Sequence, residues 1–179
     1  MRDLAARGHY PPGIRAARAR ELASRLSTAA VAGGMRVATA ESCTGGLLSA
    51  ALTDVPGASA YYAGGVVAYA DDVKVRHLGV DPDTLSIHGA VSETVALQMA
   101  AGACRRFAAD VAMAVTGIAG PGGGTPEKPV GTVWMAVGTS DGSVSAKRMR
   151  FRGDRTAVRG RSVEKVLSMA LEVLTHDGL

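Results

Sequence analysis

Cysteine is scarce in this chain. Cys43 and Cys104 are the only two among 179 residues, and they lie far apart. That argues against a disulfide framework and against a cysteine-rich zinc site. Reduced thiols and a cytoplasmic location are expected. Histidine is also sparse: His9, His77, His88 and His176 show no metal-binding spacing, so no metal is expected. Aromatic residues make up only 4%, so the core must be built from Val, Leu, Ile, Met and Ala. No apolar run reaches about 18 residues, which excludes a membrane-spanning helix. The opening MRDLAARGHYPPG has no apolar stretch behind its basic residues, so it does not read as a secretory signal. What remains is a chain of globular balance, rich in small residues, with 23 glycines. Its length suits one domain, expected over residues 14–179 after a flexible lead-in, 1–13.

Charge is unevenly placed. Residues 1–36 carry seven Arg against Asp3 and Glu21, a balance of +5. Residues 37–146 carry five basic residues against ten acids, a balance of −5. Residues 147–165 carry eight basic residues against Asp154 and Glu164, a balance of +6. That last segment suits an anionic ligand such as a phosphate, and it equally suits a solvated strand and helix face. No stacking aromatics are interleaved with the arginines, so no nucleic-acid partner is expected.

Periodicity predicts a helix from about Arg15 to Ala32, with Leu22 and Leu26 on one face. Met35–Ala40 reads as a buried strand, 41–46 as a turn, and about Gly45–Thr53 as a second helix. Residues 61–70 read as a strand, followed by a short helix with Val73 and Leu78. Ser92–Phe107 is a strong helix, and Val111–Thr116 is a buried strand. Residues 117–130 form a long Gly/Pro loop. Strands at 132–137 and 143–151 form a hairpin, and a last helix runs from about Arg155 to Thr175. This order predicts an α/β fold: a mixed sheet with helices on both faces.

Three segments carry chemistry beyond scaffold. In the first, Glu41-Ser42-Cys43-Thr44-Gly45-Gly46, a strand turns into a helix whose free N–H groups favour negative charge. Ser42 can be a nucleophile there, with neighbouring amides receiving its oxyanion. Equally, Ser42 or Thr44 can simply cap the helix. Cys43 ranks below Ser42, because no histidine stands in a recognisable partner motif. The second segment is Tyr69 to Lys74. With no Ser-His-Asp signature visible, a lysine held neutral can act as base, and Tyr69 can relay a proton or hold the lysine. The plain alternative is an exposed helix lysine and an ordinary strand tyrosine. The third, Thr116-Gly117-Ile118-Ala119-Gly120-Pro121-Gly122-Gly123-Gly124, follows a strand as ligand loops do. It matches neither a dinucleotide fingerprint nor a Walker loop, and it can also be a surface connection.

Together these segments resemble the CinA C-terminal domain family. The likeness rests on ESCTGG at 41–46, PGASAYYAGGVVAYADDVK at 56–74, GAVSE at 89–93, TGIAGPGGG at 116–124, KPVGTV at 128–133 and FRGDR at 151–155. It covers roughly residues 15–175. The resemblance implies a three-layer α/β/α sandwich, a CinA C-terminal domain-like fold. It also implies an amidohydrolase that converts nicotinamide mononucleotide to nicotinic acid mononucleotide and ammonia, in pyridine-nucleotide recycling. The family's serine, tyrosine and lysine fall on Ser42, Tyr69 and Lys74, and no cofactor is implied. Backbone amides near Thr44, Gly45 and Gly46 are expected to hold the oxyanion. Substrate contacts are expected from Glu41, Thr44, Gly45, Gly46, Thr116, Gly117 and Gly120, with Arg155 and Arg159 as partners for the ribose phosphate. A small nucleotide substrate and a homodimer or higher homo-oligomer are the implied partners, with no nucleic acid and no membrane. After Tyr69 the chain has Ala70-Asp71 where relatives often carry Ser-Asn. The alternative is a nucleotide-binding module of the same fold without turnover. Retention of Ser42, Tyr69 and Lys74 together argues against it, since a pure binder needs neither a nucleophile nor a base.

Overall fold

The layering starts from alternation within one strand. β1 (Val37–Glu41) is buried at every residue, so both of its faces must be covered. Its odd-numbered positions face one helical layer and its even-numbered positions, Ala38 and Ala40, face the other. The same division runs through β3 (Val111–Gly117) and β4 (Thr132–Thr139): Met113, Val115, Val133 and Met135 on one side, Ala112, Ala114 and Ala136 on the other. The computed structural model describes residues 12–176. The expected lead-in lies outside the described residues except for Pro12 and Gly13, which belong to the first helix.

Five strands form one sheet in the order β2-β1-β3-β4-β5, with β2 at Tyr62–Val67 and β5 at Val144–Arg150. β2, β1 and β3 run parallel; β4 and β5 are antiparallel to their neighbours, as the expected hairpin requires. On the Val/Met face lie α1 (Pro12–Ala32), α2 (Leu47–Thr53) and α6 (Arg155–His176). Leu26, Leu52, Val163 and Leu167 pack there, each stabilising the fold by roughly 1.5–3 kcal/mol relative to exposure. On the alanine face lie α3 (Asp71–Leu78) and α5 (Glu93–Phe107), which bring Leu78, Val95 and Met99 to the sheet. Small strand side chains let α5 come close. Its Gly102 meets the end of α3 so tightly that a Cβ would stand 1.9 Å from the Leu78 carbonyl oxygen.

The mixed α/β sandwich is thus the observed architecture, with several boundaries moved. β1 extends one residue to Glu41, which puts Ser42 immediately beyond its end. α2 starts at Leu47 rather than Gly45, because Gly45 and Gly46 take left-handed φ values of 57° and 94° that favour glycine. β2 stops at Val67, so Tyr69 stands past the strand rather than closing it. A helix the periodicity did not suggest, α4 (Pro82–His88), forms because Asp81 accepts from the Asp83 N–H and Pro82 takes a first-turn position.

Candidate active site

Glu41 organises the turn that follows β1. One carboxylate oxygen accepts from the Gly46 and Leu48 amides at 2.9 and 3.1 Å. The other accepts from the Ser49 amide at 2.8 Å and from its hydroxyl at 2.6 Å. An acid from the preceding strand therefore satisfies the first turn of α2, where negative charge is favoured. Glu41 is fully buried and its oxygens are taken, which corrects its expected place among the substrate contacts. The same arrangement leaves no capping role to Ser42 or Thr44. Neither Ser42 nor Thr44 caps α2; the N-cap is Gly46, with no side-chain cap bond. The Ser42 amide donates to the Val115 carbonyl at 2.9 Å, and its hydroxyl bonds to nothing among the described residues.

The position of that hydroxyl is set by topology. After β1 the chain turns to α2 on the Val/Met face; after β2 it turns to α3 on the alanine face. Adjacent parallel strands that feed opposite layers open a crevice at their C-terminal ends, where α/β proteins bind ligands. Glu41 pairs with Val67 in register, and the Ala68 amide donates to the Glu41 carbonyl at 2.7 Å. Ser42 and the Ala68–Tyr69 segment therefore share the crevice. Lys74 meets the same segment at the Tyr69 carbonyl. It is 1% exposed, not the surface lysine of the plain alternative, and its ammonium donates to the Tyr69 carbonyl at 3.3 Å and to Asp71 Oδ1 at 3.0 Å. Asp71 is the partner the sequence reading passed over; its i, i+3 spacing to Lys74 on a helix was the available signal.

Two arginines of α6 close the arrangement. Arg155 donates through Nη2 to the Tyr69 hydroxyl at 3.1 Å and through Nη1 to the Gly120 carbonyl at 3.0 Å. Arg159 donates through Nη2 to the Thr44 carbonyl at 2.6 Å. Its Nε, like the Thr44 hydroxyl, is buried without a partner among the described residues. Tyr69 itself is exposed, and its hydroxyl proton is left to donate elsewhere.

The loop residues divide. Gly120 reaches the site through its carbonyl. Thr116 is 1% exposed and its hydroxyl donates to the Ala90 carbonyl at 2.8 Å, so it braces the segment before α5 instead of facing a ligand. At Gly117 a Cβ would lie 2.8 Å from the Thr132 carbonyl oxygen, so that glycine serves the approach of β4. The amides are corrected as well. Gly45 N–H donates to the Ser42 carbonyl and Gly46 N–H to Glu41. Of the three named for an oxyanion, Thr44 N–H alone has no partner among the described residues; beside it, the Cys43 N–H donates to no other residue among them. Burial pushes that thiol up to about 12, outweighing the nearby Arg159 and Arg155, which suits a packed side chain and not a nucleophile. Among the described residues no cluster of three or more His, Cys, Asp or Glu side chains is placed to hold a metal ion. No helix among them is long and apolar enough to cross a membrane.

The family model of the CinA C-terminal domain matches residues 19–174. The chain belongs to the CinA C-terminal domain family. This CinA domain is 53% identical over 150 residues to a CinA-like protein of Mycolicibacterium gilvum, covering 84% of this chain and 36% of that protein. It is 52% identical over 155 residues to a CinA-like protein of Mycobacterium tuberculosis H37Rv, covering 87% and 35%. The CinA domain thus spans about a third of the length of these curated relatives. Solved structures are matched over nearly their whole length. A competence/damage inducible protein from Agrobacterium tumefaciens superposes with a TM-score of 0.86 at 48% identity, covering 89% of this chain and 96% of that one. A CinA superfamily protein from Klebsiella pneumoniae superposes with a TM-score of 0.84 at 42% identity, covering 88% and 98%.

Proposed function

We propose that this CinA domain is an amidohydrolase that converts nicotinamide mononucleotide to nicotinic acid mononucleotide and ammonia in the cytoplasm. The observation that carries the reading is the Ser42 hydroxyl. It follows the C-terminal end of β1 with no capping duty, and the neighbouring strand leads into the Tyr69 carbonyl that a buried lysine, Lys74, meets. Ser42 Oγ attacks the carboxamide carbon and passes its proton to the Lys74 amine, the general base. The Thr44 and Cys43 amides receive the oxyanion. Lys74 returns the proton to the departing nitrogen and ammonia leaves, so that an ester to Ser42 remains. Water then adds to that ester, the same lysine takes its proton, and the carboxylate product and free Ser42 form. Tyr69, fixed by Arg155, turns its proton toward the reacting groups. Arg155 and Arg159 supply the positive charge that a ribose phosphate needs.

The experiment is an ammonia-release assay on a panel of nicotinamide compounds with and without the phosphate. Release from the mononucleotide that disappears in Ser42→Ala is the expected result. Tight binding of the nucleotide with no release supports the non-catalytic module instead.

A further inference from the structure

A partly buried polar network is joined to Glu41 at the Ser42 turn, and no step above uses it. Thr39 Oγ1 is 2.8 Å from both Ser49 Oγ and Tyr62 Oη, and Tyr62 Oη donates to Ser49 Oγ at 2.9 Å. Ser49 in turn donates to Glu41. The three hydroxyls come from β1, α2 and β2, so the network ties together the elements that bound the crevice. Gly65 makes room for it: a Cβ there would stand 2.0 Å from Thr39 Oγ1.

We propose that Glu41, anchored by the Thr39–Tyr62–Ser49 hydroxyls, is a positioning residue that sets the reactivity of Ser42. The inference rests on the reading of Ser42 as nucleophile and adds a cause. By taking the Gly46, Leu48 and Ser49 amides, Glu41 fixes the α2 end of the turn and draws those donors away from the crevice. The Ser42 hydroxyl is relieved of capping, and Thr44 N–H stays free at the other end of the turn. A residue that acts only by holding the turn should lower kcat and leave KM largely alone.

The test uses the whole chain and a fluorophosphonate probe, which reports Ser42 reactivity whatever the natural amide, alongside turnover of nicotinamide mononucleotide. Glu41→Gln keeps the shape but puts an amide donor against N–H donors. Labelling of Ser42 and kcat should each fall on the order of 100-fold, with KM within about threefold. Glu41→Asp, which keeps both acceptor oxygens, should recover part of the labelling. Leu26→Ala in α1 is the destabilised control and should label like the wild type. A folded Glu41→Gln variant that labels within about threefold of wild type overturns the proposal, and so does an equal loss in Leu26→Ala. Should Glu41→Gln fail to fold, Ser49→Ala decides: a roughly tenfold loss of labelling supports the proposal and no loss overturns it. Wild-type labelling without nucleotide turnover defeats the substrate reading alone, and the labelling ratios still judge Glu41. No labelling of wild-type Ser42 overturns both.

Discussion

The Lys74 ammonium lies 3.0 Å from the Asp71 carboxylate, and the two ends of this bridge differ in surroundings: the lysine side chain is 1% exposed and the aspartate 62%. Water already serves the aspartate, so the lysine depends on the pair more than its partner does. Asp71→Asn should cost about 1 kcal/mol, below the range for a buried pair because solvent screens the acid. Urea unfolding measures it; a loss under a few tenths would show that the Tyr69 carbonyl holds the lysine unaided.

Ser42→Ala should abolish turnover and spare stability. Its hydroxyl caps nothing, so the urea midpoint should imply a change within about 0.5 kcal/mol. A helix cap would instead cost about 1 kcal/mol. The activity loss should reach three orders of magnitude or more. Unchanged turnover in this variant would end the serine mechanism.

Arg155→Ala and Arg159→Ala separate phosphate recognition from chemistry. If the two guanidinium groups meet the ribose phosphate, each variant should raise KM for nicotinamide mononucleotide about tenfold or more. Neither should alter the slow hydrolysis of the unphosphorylated riboside by as much. An equal effect on both substrates would assign the arginines to holding Tyr69, Gly120 and Thr44 in place.

Cys43 makes stability fall with alkali. Its thiol, ordinarily near 9.0, is pushed up to about 12 by burial in the folded state. The folded state therefore favours the protonated thiol. This contribution is fully present below pH 9.0 and is lost as pH rises toward about 12, by about 1.4 kcal/mol per pH unit. Subtracting the Cys43→Ala unfolding curve from wild type over that range isolates the slope. A flat difference would mean that the thiol titrates as freely folded as unfolded.

Gly102→Ala tests the alanine face. The added methyl would stand 1.9 Å from the Leu78 carbonyl oxygen, and backbone cannot yield as a flexible side chain can. A loss of about 1–3 kcal/mol is expected, read as a lowered Tm. A neutral result would show that α3 and α5 slide apart freely.

Much of the frame was legible before any coordinate. Val163, Val166, Leu167 and Ala170 recur at helical spacing and are all buried in α6, because a 3.6-residue period is a local property. Ser92 capping α5 through the Val95 amide is equally local. The sequence also singled out the turn after β1, the Tyr69–Lys74 segment and the glycine loop, each by residue type and spacing. It did not show which group caps α2. Ser42, Thr44 and Glu41 all carry acceptors within a few residues of the helix, and only the path of the chain selects the carboxylate. Nor did it show that Lys74 is buried, or that Arg155 meets Tyr69 across 86 residues of sequence. Those facts depend on β1 and β2 feeding opposite layers and on α6 returning over the strand ends. Sequence periodicity determined most of the elements, α4 excepted, because each needs only its own neighbours. The tertiary structure decided which hydroxyl stays free and which amides remain to donate, because those depend on groups that only packing brings together.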